Sequence, residues 1–132
     1  MLWSISIYGA TEALMDAQKQ NAEIHNLISS RSIEGTTVFS LEGKRLGSID
    51  FLYLDTQLGN VRYAVVEFDG LLGFGCARHP VPWTLLKFDQ VFDGYVVPFD
   101  KQTVKRAPSF ESHAHPEFTP EFERLIFQHY VN

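Results

Sequence analysis

The hydrophobic pattern changes period along the chain and divides it in three. Residues 1–31 open with an apolar/polar alternation from Met1 to Tyr8. Helical spacing follows at Ala13, Leu14, Ala17, Ile24, Leu27 and Ile28. A polar stretch from Gln18 to Glu23 interrupts it, so the pattern predicts a loose helix over 12–28. Residues 32–110 read as short strands. Val38, Phe39 and Leu41 precede a turn at Glu42-Gly43-Lys44. Leu46, Ile49, Phe51, Tyr53 and Leu54 mark a longer strand, closed by a turn at Gln57 to Asn60. From Val61 to Asp69 the residues alternate, with Val61, Tyr63, Val65 and Glu67 on one face and Arg62, Ala64, Val66 and Phe68 on the other. Both rows carry apolar groups, which predicts a central strand covered on each side.

After the glycine loop Gly70 to Gly75, residues 76–82 resume a strand, stopped by Pro80 and Pro82. Leu85–Phe88 and Tyr95–Phe99 read as a hairpin closed at Asp93-Gly94. Asp100 is placed to cap a short helix through Lys105, ended by Ala107-Pro108. Residues 111–132 form a tail. It is extended to Thr119 and then helical, with Thr119 as N-cap, Pro120 in the first turn and Glu121 and Glu123 at the positive end of the dipole. Phe122, Leu125, Ile126 and Tyr130 fall on one helical stripe. Short strands joined by tight turns, without intervening helices, predict a mostly β fold: a small barrel whose closure removes exposed edges, flanked by helical segments at both ends.

Composition narrows the classes. The chain has 132 residues, enough for one domain; 45% are apolar and 14% aromatic, with eleven Phe against two Met, which suits half-buried β surfaces. A formal charge of −5 disfavours nucleic-acid binding, and Lys101, Lys105 and Arg106 are too few to reverse that. The lone Cys76 cannot form an internal disulfide. The start lacks the pattern of a secretion signal, and no apolar run is long enough to span a bilayer. The expected location is cytoplasmic.

Several pieces then match in order. They are Gly35-Thr36-Thr37-Val38-Phe39, Gly43 through Gly47 to Ile49, Val65-Val66-Glu67-Phe68, the loop with Gly70, Gly73 and Gly75, Pro82-Trp83-Thr84-Leu85-Leu86, and Ala107-Pro108-Ser109-Phe110. Together they resemble the PRC-barrel family, which is shared by the photosynthetic reaction-centre H subunit and the small-subunit ribosome-maturation factor. The flanking segments look like the family's stand-alone bacterial version. The resemblance implies a small barrel over 32–110 used as an adaptor that docks onto another protein. It implies no conserved chemistry, and no cofactor is expected. Nothing here corresponds to the H subunit's membrane helix or to the second domain of the maturation factor, so neither specific job carries over.

Each candidate site has a structural counterpart. Leu71, Leu72 and Phe74 make the glycine loop a candidate docking surface rather than a phosphate cradle, since no Lys-Ser/Thr follows. Cys76 and His79 have opposite strand parity, which argues against a nucleophile–base pair and predicts a buried Cys76 and a surface His79. His113 and His115 would face one side of an extended segment, with Glu111 and Glu117 near; two imidazoles alone make an incomplete metal site. Asp50, Asp55, Glu67 and Asp69 read as a solvated sheet face, and Trp83 as a barrel cap. No acid–base pair stands out, so no enzyme is expected. The expectation is a protein-binding module, as a homodimer, with an interaction surface on Leu71, Leu72, Phe74, Phe122, Leu125, Ile126 and Tyr130. The alternative is a small-ligand or metal-binding protein using the barrel mouth or the His113/His115 tail. Ribosome or RNA association is disfavoured by the charge. The stripe on the tail helix must be covered, either across a two-fold axis, the favoured arrangement, or as a lid on its own barrel.

Overall fold

The computed structural model describes residues 26–70 and 77–131. Residues 26–29 are not helical; the rest of the helix expected over 12–28 falls outside this range, as do Leu71, Leu72, Gly73, Phe74, Gly75 and Cys76. Ser29 caps a single helical turn, α1 (Ser30–Ile33), by accepting from the Arg31 amide. Three strands follow: β1 (Thr37–Phe39), β2 (Arg45–Leu54) and β3 (Val61–Phe68). Then come β4 (Ala77–Pro82), a 3₁₀ turn at Trp83–Leu85, β5 (Lys87–Asp89) and β6 (Gly94–Val96). Asp100 caps α2 (Lys101–Val104) through the Gln102 and Thr103 amides. A two-residue strand, β7 (Phe110–Glu111), and helix α3 (Pro120–Val131) complete the chain.

The strands form one sheet in the order β5-β6-β1-β2-β3-β4-β7. Most pairings are antiparallel, but β1 and β6 run parallel, with Val38 opposite Tyr95 and Phe39 opposite Val96. The sheet is mostly β as expected, yet β5 and β7 do not pair, so hydrogen bonds do not close the barrel. The open edges are kept harmless by brevity and charge: β5 is Lys-Phe-Asp and β7 is Phe-Glu. Pro80 and Pro82 sit inside β4 instead of stopping it, opposite Val65 and Tyr63. They are tolerated because β7 borders β4 only at Ala77 and Arg78, which leaves the rest of β4 an edge.

Alternation on β3 divides the molecule. Ala64, Val66 and Phe68 face the interior with Val38, Leu46, Ile49, Val81, Leu86, Tyr95, Val97 and Val104. Tyr63 and Val65, on the opposite face, are equally buried, so β3 is covered on both sides as its sequence predicts. A register shift between Ile49 and Phe51 bends β2 at Asp50. Close approach makes Gly47 obligatory: a Cβ there would lie 2.2 Å from the Glu67 carbonyl oxygen. Trp83 is half-buried, stacked at a tilt 5.4 Å from Tyr95; it flanks the core and does not plug it.

Candidate interaction surface

The second cover of β3 comes from the tail. Phe110 and Glu111 first pair with Arg78 and Ala77 on β4. The chain then turns, with the Ala114 amide donating to the Glu111 carbonyl at 2.9 Å. That turn overturns the extended arrangement expected of the two histidines. His113 sits 3.2 Å from the Glu111 carboxylate, well exposed. His115 instead leans on the Phe51 and Phe110 rings and meets the Tyr53 hydroxyl through Nδ1 at 2.5 Å. Among the described residues no three His, Cys, Asp or Glu side chains converge. Phe118 follows, stacked on Tyr63 at 5.0 Å and edge-on to Tyr53 at 4.8 Å. The tail is therefore an aromatic strap laid over the outer face of β2 and β3, a geometry in which ring pairs add to plain burial.

Helix α3 begins where its sequence says it should. The Thr119 hydroxyl accepts from the Phe122 amide at 3.1 Å, Pro120 occupies the first position, and Glu121 and Glu123 lie in the first turn. Glu123 anchors the helix: it accepts from the Tyr63 hydroxyl at 2.8 Å and from Arg62 at 2.5 Å, while Arg62 also holds Asp55 at 3.0 Å. Burial, followed by the Glu123 carboxylate, raises the Tyr63 pKa far above the ordinary phenol value, so Tyr63 stays a donor. Ile126 is wholly buried. At the far end the His129 ring lies 2.5 Å from the Thr103 carbonyl, and Tyr130 packs on Phe99 at 4.9 Å. The helix thus runs from the outer face of β3 across the open side of β4 to α2. Ile126 and Tyr130 of the stripe therefore pack on their own chain, as in the lid arrangement.

His79 corrects another expectation: it is 4% exposed. Its strand partner is Val66 and its ring meets Phe68 edge-on at 5.2 Å, which places it on the interior face. Burial lowers its pKa to about 4, with the neighbouring His129 acting in the same direction and a hydrogen bond to the Val66 backbone opposing both. Nδ1 of His79 and the Tyr130 hydroxyl are buried without a hydrogen-bond partner among the described residues. The carboxylates expected on a solvated face are each paired with arginine: Asp50 and Glu67 with Arg78, Asp55 with Arg62, Asp69 with Arg45. The Leu58 and Gln57 amides hold the Asp55 carboxyl below its usual range.

Seating the helix leaves one flank free. Of the four apolar stripe residues, Ile126 is consumed, Tyr130 and Phe122 are half-buried and Leu125 is 43% exposed. Phe122, Leu125, Gln128 and His129 form one wall of a shallow groove of about 560 Å³; Arg106, Pro108 and Ser109 form the other. Sequence reasoning found Phe122 and Leu125 but missed the facing wall, because nothing local pairs residues 106–109 with a helix that starts at 120. Phe88 on β5 and Val91 and Phe92 in the turn after it are also exposed. The ring contact of Phe92 with Phe39 ties this turn to β1.

The described residues thus form a strand scaffold around a buried apolar cluster, with apolar surface left on the helix that packs against it. A family model for the PRC-barrel domain matches residues 25–104, and the chain belongs to that family, whose fold is in general non-catalytic. No curated protein matches the chain. No helix among the described residues is long and apolar enough to cross a membrane.

Proposed function

We propose that this chain is a non-catalytic adaptor that docks another protein in the bacterial cytoplasm, working as a homodimer. The observation that carries the reading is the groove on α3: Leu125 is left exposed on a helix pinned at both ends by Glu123 and His129. A free apolar side chain on a rigid support is what a docking surface requires, since little ordering cost remains to be met on binding. Phe88, Val91 and Phe92, exposed on β5 and the turn after it, supply a separate apolar patch for self-association, since a two-fold dimer buries the same patch of both subunits.

The two surfaces are tested by two substitutions. Protein recovered from the native cell on the wild-type chain should be lost with Leu125→Asp and retained with Val91→Asp. Light scattering at tens of micromolar should give twice the chain mass for the wild type and Leu125→Asp, and the chain mass for Val91→Asp. A partner indifferent to Leu125→Asp removes the groove from the proposal. A wild-type monomer removes the dimer.

A further inference from the structure

The groove also carries information about what it binds. The chain has 16 acidic and 11 basic residues, so carboxylates outnumber cations. The arginines at 45, 62, 78 and 124 are each held by a carboxylate. Arg106, on the lip of the groove, is exposed and has no acidic partner within 4.0 Å among the described residues. Lys105 beside it is exposed as well. Among the described residues none that lines the groove is acidic. Arg31 is also exposed and without a carboxylate partner among the described residues, but Arg106 shares a groove with Phe122, Leu125 and Pro108, and that combination complements a carboxylate next to an apolar group.

We propose that the groove receives an acidic, amphipathic peptide segment of the partner, with an apolar side chain against Phe122, Leu125 and Pro108 and a carboxylate on Arg106. This rests on the docking reading above. Arginine suits the role because its planar fork accepts a carboxylate through two parallel hydrogen bonds. Ser109 and Gln128 complete the rim with neutral hydrogen-bonding groups. The volume, about 560 Å³, takes a few side chains, which favours a short segment over a broad protein face.

The probes are three dye-labelled helical peptides: one of Glu and Leu at amphipathic spacing, one of Lys and Leu in the same pattern, and one of Glu and Ser without apolar positions. Fluorescence anisotropy is read against the full chain at low and moderate salt, with circular dichroism checking that each variant is folded. The Glu/Leu peptide should bind, and the other two at least tenfold more weakly. Arg106→Glu should weaken the Glu/Leu peptide at least tenfold and strengthen the Lys/Leu peptide. Leu125→Ser should weaken the Glu/Leu peptide while leaving the fold intact. If Leu125→Ser weakens binding and Arg106→Glu does not, the acidic assignment is wrong while the groove stands as a docking site. If neither changes it, the groove itself is wrong. No binding of the Glu/Leu peptide at about 1 mM, the weak end of specific affinity, overturns the proposal. So does a single-stranded RNA oligonucleotide that binds more tightly than the peptide and is lost with Arg106→Glu.

Discussion

Acid should weaken this fold through His79, in a pH window set by that one side chain. In the unfolded chain His79 takes up a proton near its ordinary pKa of 6.5; in the folded protein it does so only near 4, because the ring is buried and faces His129. A base with a depressed folded pKa leaves the folded state binding fewer protons, so its contribution is fully present above the unfolded value. It is lost as pH falls from about 6.5 to about 4 and levels off below. At about 1.4 kcal/mol per pKa unit, the 6.5-to-4 shift corresponds to about 3 kcal/mol. That is a large share of the roughly 5–15 kcal/mol typical of a domain. The groups that meet the ring are the Phe68 ring and the Val66 backbone from β3 and His129 from α3. Asp55, held low by the Leu58 and Gln57 amides, titrates below the window. Urea melts at half-unit steps from pH 7.5 to 4 should show stability falling by about this amount in the wild type. His79→Gln keeps a donor for the Val66 backbone but cannot be charged, and its profile should be flatter by the same amount. A wild-type profile level across the window, or one that His79→Gln leaves unchanged, would mean the buried histidine is not what acid acts on.

Three substitutions probe the rest of the packing, each by urea melting at neutral pH. Gly47→Ala should cost at least about 1–3 kcal/mol, because its methyl would meet the Glu67 carbonyl at 2.2 Å on the paired strand; a neutral result would mean β2 and β3 stand further apart at that point. Ile126→Ala should cost about 2–5 kcal/mol, since the side chain is wholly buried under the helix; a loss under about 0.5 kcal/mol would place the helix off its own sheet. Trp83→Ala should fall near the lower end of the roughly 3–5 kcal/mol range for a large aromatic, because Trp83 is only half-buried.

Local chemistry made the strands and helix starts readable. The alternation on Val61–Phe68 predicts a strand covered on both faces, and both covers exist. Asp100 and Thr119 precede helices and cap them, and Asp93, at φ 52°, makes the turn that Asp93-Gly94 announces. What the sequence hid depends on residues far apart. The parallel pairing of β1 with β6 joins positions more than fifty residues distant and leaves no periodic trace. The strap is hidden for the same reason: the contact of His115 with Tyr53 spans 62 residues, so two histidines expected side by side on an extended segment lie apart, His115 in an aromatic stack and His113 at the surface. His79 was misjudged because strand parity gives two faces without saying which is interior. For the groove, the helix wall was legible from the 122, 125, 126, 130 spacing, whereas Arg106, Pro108 and Ser109 joined it only through the fold.

The central claim is that α3 is anchored on its own barrel and offers its outer flank to a partner. A photo-reactive phenylalanine analogue at position 125, in the full chain expressed in its native cell, tests it directly against the same group at Leu58, which is also exposed but lies on the turn after β2. Illumination should join position 125 to one discrete protein and position 58 to none, and adding Arg106→Glu should abolish the adduct. No adduct at 125, or the same adduct from both positions, would contradict the account.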